Sequence, residues 1–143
     1  MGYSFGGILS LWMGMKYSDV FSMIGAMSPS LWVGNEKILE DLEAMPKKDM
    51  KIWLDRGSEE FDPSVRQAVN ILTSKNYIYG KDIMYYEDKG ARHDGEAWTK
   101  RFMYPLIMFK GKMKDIKMID FVPQLAARET PYRKDRERFV IIN

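Results

Sequence analysis

Three kinds of residue in this chain could together do covalent chemistry: a serine between glycines, a single histidine and a short acidic cluster. Ser4 lies in Gly2-Tyr3-Ser4-Phe5-Gly6-Gly7, a G-x-S-x-G pattern that runs directly into helical spacing. A serine hydroxyl is a weak nucleophile until a base takes its proton. His93 is the one histidine in 143 residues, and it sits in a loop bracketed by Gly90 and Gly95, just after an expected strand. The base in turn needs a carboxylate to orient it. Glu59, Glu60 and Asp62 follow another expected strand, beyond Gly57. Glu60 is the first choice, then Asp62, then Glu59, although acids this close to Pro63 would also suit the start of a helix.

The G-x-S-x-G pattern is the sequence form of a nucleophile elbow, in which a tight strand-to-helix turn lifts the serine above a sheet. The turn crowds the backbone two residues before and two after the serine, so Gly2 and Gly6 are expected to be the positions that cannot carry a Cβ. An elbow should follow a strand, and only Met1 precedes this one. The expectation is therefore that strands N-terminal to the elbow are missing.

The elements that must position these residues alternate. Helical spacing over 4–16 leads to a buried apolar run at 22–27, which Ser28-Pro29-Ser30 ends. A short amphipathic helix over 35–45 stops at Pro46. A strand at 51–55, a helix after Pro63, a strand at 82–87 and a helix over 98–109 follow. This order predicts an α/β fold of three to four mostly parallel strands with crossover helices. All three candidate groups then fall at the C-terminal ends of strands, where open α/β sheets place their sites.

The bulk composition excludes several classes. A hydrophobic content of 45% with 29% charged residues describes an ordinary globular chain. A net charge of +2 is too small to suggest nucleic acid or a membrane surface as partner. No apolar run approaches the ~20 residues of a membrane-spanning helix. Without cysteine, disulfides and thiolate metal sites are ruled out. The twelve methionines are read as fillers of irregular core space. Residues 112–143 differ from the rest: eight Lys and Arg against five Asp and Glu mark a basic tail or the start of a further element, with a candidate strand at Phe139-Val140-Ile141-Ile142.

Together the segments are similar to the C-terminal half of an esterase family of the α/β-hydrolase fold, a group that includes esterase D, enterochelin esterases, feruloyl esterases and mycobacterial mycolyltransferases. The segments that carry the resemblance are the elbow, Lys16-Tyr17-Ser18-Asp19-Val20-Phe21, Ser28-Pro29-Ser30-Leu31-Trp32, Leu54-Asp55-Arg56-Gly57-Ser58-Glu59-Glu60 and His93-Asp94-Gly95-Glu96-Ala97-Trp98. Ser18 stands where the family usually has proline. The likeness covers residues 1 to about 110, which gives an esterase half-domain over 1–111.

The resemblance implies Ser4 as nucleophile, His93 as base and Glu60 as acid. The N–H of Phe5 would be the first oxyanion donor, and the second would come from a loop among the missing strands. Trp32 would either line the substrate pocket or pack in the core. The implied function is a serine carboxylic-ester hydrolase working through an acyl-enzyme, without metal or organic cofactor, on a small-molecule ester or an acylated saccharide. An acyltransferase with the same triad and a non-catalytic truncated remnant are the alternatives. The sheet edge left open by the missing strands is expected to be where two copies associate.

Overall fold

A computed structural model describes residues 1–111. The expected tail and its strand at 139–142 lie outside the described residues. Four parallel strands form one sheet in the order β1-β2-β3-β4: β1 (Gly2–Tyr3), β2 (Met23–Met27), β3 (Lys51–Gly57) and β4 (Ile83–Asp88). Between them run α1 (Phe5–Lys16), α2 (Lys37–Ala44) and α3 (Ser64–Ser74), followed after β4 by α4 (Gly95–Arg101) and α5 (Met103–Lys110). This is the α/β arrangement expected from the alternation.

Strand periodicity sorts the core into two layers. Ile24, Ala26, Ile52, Leu54, Ile83 and Tyr85 pack in one buried cluster with Leu11 of α1, Leu39 and Leu42 of α2, and Val69 and Leu72 of α3. Met27, Trp53 and Met84 form the other, with Met108 of α5 and the flanking rings of Trp98 and Tyr104. Successive residues of a strand point to opposite faces. A parallel sheet covered on both sides therefore needs the continuous apolar runs that β2, β3 and β4 carry.

Two findings refine the expectations. The first residues of the elbow motif themselves form a two-residue strand that leads into Ser4. Gly2 pairs with Ala26 and Tyr3 with Met27, and the Ser4 amide extends the pairing by donating to the Met27 carbonyl at 3.0 Å. Two residues are too few to show periodicity, so this strand is defined by its neighbour rather than by its own sequence. The helix expected over 98–109 is two helices that meet at Phe102. Pro105 has no N–H to give the Arg101 carbonyl, and its ring would crowd that carbonyl, so a continuous helix is disfavoured there. The chain instead starts α4 early, at Gly95, where the Asp94 side chain accepts from the Ala97 amide at 2.9 Å.

β1 is one edge of the described sheet. Around it Met1, Tyr3, Phe5, Leu9, Trp12, Phe21 and Met23 are exposed. No helix among the described residues is long and apolar enough to cross a membrane.

Candidate active site

Ser4 follows β1 directly and caps α1 with φ 55° and ψ −120°, a conformation that a non-glycine residue adopts only under constraint. The surrounding contacts supply that constraint. A Cβ on Gly2 would lie 2.6 Å from the backbone of Gly6, so the chain folds back on itself across the serine. The expected second crowded position is different, however: a Cβ on Gly6 would meet nothing within 4 Å, whereas one on Gly7 would lie 2.9 Å from Pro29 Cα and 3.0 Å from the Met27 carbonyl. The glycine that the fold requires after the serine is thus the one facing β2. With this turn in place, Ser4 projects over the N-terminus of α1, where the Phe5 amide has no intrahelical carbonyl to serve. The side chain of Phe5 is exposed.

From Ser4 a line of hydrogen bonds crosses three strand ends. Ser4 Oγ lies 2.9 Å from His93 Nε2, and His93 Nδ1 lies 3.1 Å from Glu60 Oε2. The residues are 89 and 33 positions apart in sequence. Glu60 alone of the three candidate acids reaches the histidine. Asp62 instead accepts from the amide and hydroxyl of Ser64 at the start of α3, and Glu59 pairs with Arg92 at the surface. The histidine ring is held edge-on between Trp32, at 5.6 Å, and Trp98, at 5.1 Å. Trp32 also meets Phe61 at 5.2 Å, so it stands beside the site and is only half-buried.

The carboxylate of Glu60 is itself fixed from behind. Its Oε1 accepts from Ser28 Oγ at 2.6 Å and from the Gly57 amide at 2.7 Å, while the Arg56 guanidinium donates to its backbone carbonyl. Gly57 tolerates no side chain, because a Cβ there would lie 2.1 Å from the Ala91 carbonyl. That close approach draws the histidine loop against the end of β3, where Glu59 N donates to Ala91 O at 3.1 Å.

Behind Ser28 is a residue that the sequence reading missed. Arg101 is 1% exposed and donates to Ser28 Oγ at 2.7 Å, to Asp55 Oδ1 at 3.1–3.2 Å and to Asp88 at 3.2 Å. It thereby ties together the ends of β2, β3 and β4. A signal for it did exist. Asp55 and Arg56 interrupt an apolar run in a strand buried on both faces, and a buried charge demands a partner. Asp55 is fully buried and accepts further from the Trp53 indole at 2.7 Å and the Ser28 amide at 3.1 Å. Burial pushes its carboxyl up from 3.8 to about 6, against the pull of Arg101 and the other donors. Among the described residues no group of three or more His, Cys, Asp or Glu side chains is placed to hold a metal ion.

Residues 1–109 match the family described as "Putative esterase". The chain belongs to this esterase family. A Bacillus subtilis (strain 168) relative, the uncharacterized protein YbbA, is 26% identical over 78% of this chain. Among solved structures, the enterobactin esterase FES from Shigella flexneri is similar in two forms. In the presence of 2,3-dihydroxy-N-benzoyl-serine it superposes with a TM-score of 0.62 at 26% identity over 75% of this chain. In the presence of enterobactin the TM-score is 0.56 at 25% identity over 74%. The chain spans about half of the Bacillus relative, 48%, and 29% of the Shigella esterase.

The raised carboxyl of Asp55 has a consequence for stability. An acid whose pKa is higher in the fold stabilises it fully only below its unfolded value of 3.8, and that contribution is lost as pH rises through about 6. Asp55→Asn removes the titration and keeps the shape. The stability advantage of the parent over this variant should shrink between pH 4 and pH 7, by on the order of 3 kcal/mol. Urea unfolding of both proteins across that range measures it, and a pH-independent difference contradicts the assignment.

Proposed function

We propose that the chain carries the reacting groups of a serine carboxylic-ester hydrolase, with Ser4 as nucleophile, His93 as general base and Glu60 as the acid that orients it. The observation that carries this reading is the unbroken line from Ser4 Oγ to His93 Nε2 at 2.9 Å and from His93 Nδ1 to Glu60 Oε2 at 3.1 Å. With Nδ1–H donating to Glu60, Nε2 is left as the acceptor that a base requires.

In the proposed reaction Ser4 Oγ attacks the ester carbonyl carbon while its proton passes to His93 Nε2. The carbonyl π electrons move onto oxygen, next to the Phe5 amide at the positive end of α1. Collapse of this intermediate expels the alcohol, which takes the proton from His93, and leaves an acyl group on Ser4. Water repeats the sequence and releases the acid. Glu60 remains a carboxylate throughout and stabilises the charged imidazole. Trp32, beside the histidine, lines the substrate pocket. The substrate is a small-molecule ester or an acylated saccharide. Family membership and the likeness to an enterobactin esterase support ester cleavage as the reaction class.

The purified chain should hydrolyse p-nitrophenyl acetate. Ser4→Ala and His93→Ala should each lower the rate by roughly 1000-fold or more, and Glu60→Gln by less. Equal rates in the parent and Ser4→Ala would end the serine-hydrolase reading and leave a non-catalytic chain.

The proposal extends to the outer edge of β1, which no strand covers among the described residues and near which Leu9 and Trp12 of α1 are exposed. Two copies meet there. Sedimentation velocity should report a dimer that Leu9→Glu with Trp12→Glu converts to monomer. A parent chain that is already monomeric at tens of micromolar contradicts this association.

A further inference from the structure

We propose that Ser30 is a second catalytic hydroxyl, which donates to Ser4 Oγ while that oxygen gives up its proton. The inference rests on reading Ser4 as the nucleophile. Ser30 Oγ lies 3.2 Å from Ser4 Oγ, and Ser30 is 4% exposed.

Proton counting sets the direction of this bond. Ser4 has one hydroxyl proton. In the productive arrangement it points at His93 Nε2, because Nδ1 holds the ring's own proton toward Glu60. Only lone pairs of Ser4 Oγ then remain for Ser30, so Ser30 must be the donor. As the Ser4 O–H bond breaks and the Oγ–carbon bond forms, negative charge passes through Ser4 Oγ, and a hydrogen bond to a charged acceptor is stronger than one to a neutral one. The Ser30 O–H bond stays intact, and no other reactant is needed.

The fold holds Ser30 at this distance. The Ser30 amide donates to the Ser4 carbonyl at 3.1 Å, and the Ser30 carbonyl accepts from the Val33 amide at 3.1 Å. The segment that carries it can approach the elbow because Gly7 has no side chain to strike Pro29. Ser28 and Ser30 thus flank one proline and serve the two ends of the line: Ser28 donates to Glu60, and Ser30 to Ser4.

The test compares p-nitrophenyl acetate kinetics of the parent chain, Ser30→Ala, Ser30→Thr and Ser4→Ala, with thermal unfolding of each. Ser30→Ala should lose about 10- to 100-fold in kcat with KM little changed. Ser30→Thr keeps the hydroxyl and should recover most of that loss. Ser30→Ala activity within twofold of the parent overturns the role, as does Ser30→Thr falling as far as Ser30→Ala at unchanged unfolding temperature. If the parent is no faster than Ser4→Ala, the serine-hydrolase reading fails and the role of Ser30 fails with it.

Discussion

One buried guanidinium holds together the end of the sheet that carries Ser4, Glu60 and His93. Strands in a parallel sheet are joined along their length by backbone hydrogen bonds, but those bonds stop where the strands end, and the ends are where the chain departs into loops. Arg101 reaches from α4 to Asp55 on β3, Asp88 at the end of β4 and Ser28 just beyond β2. Through Ser28 it fixes the carboxylate that faces His93. Burying such a cluster is costly in itself, as the raised carboxyl of Asp55 shows. The return is orientation: the acid, the loop that carries the histidine and the segment beside the serine share one support.

The elbow depends on a different constraint, the absence of side chains. Ser4 stays in its left-handed conformation because Gly2 and Gly7 let the turn close on both sides. Gly57 plays the same part across the site, where the Ala91 carbonyl occupies the space of a Cβ. The line from Ser4 to Glu60 is therefore set by three close backbone approaches as much as by its own hydrogen bonds.

Much of this was legible in the sequence. Continuous apolar runs marked β2, β3 and β4, and the order of serine, acid and histidine placed all three at the carboxyl ends of strands. What escaped was information held in contacts rather than in periodicity. β1 is two residues long and exists through its pairing with β2. The three neighbouring acids could only be ranked on paper, with Glu60 ahead of Asp62 and Glu59, and it is the loop after β3 that turns Glu60 inward while Asp62 and Glu59 serve Ser64 and Arg92. Arg101 lay inside an expected helix, where a basic residue is ordinarily solvated, and its role becomes visible only once Asp55 is seen to be buried. The break that ends α4 at Arg101 could have been read from Pro105.

The central claim is that Ser4 is activated by His93, and covalent capture tests it most directly. The chain should be treated with a fluorophosphonate and the adduct located by peptide mass spectrometry. The account predicts a single adduct on Ser4 that forms much more slowly in His93→Ala. An unmodified Ser4, or labelling that is indifferent to the loss of His93, would contradict it.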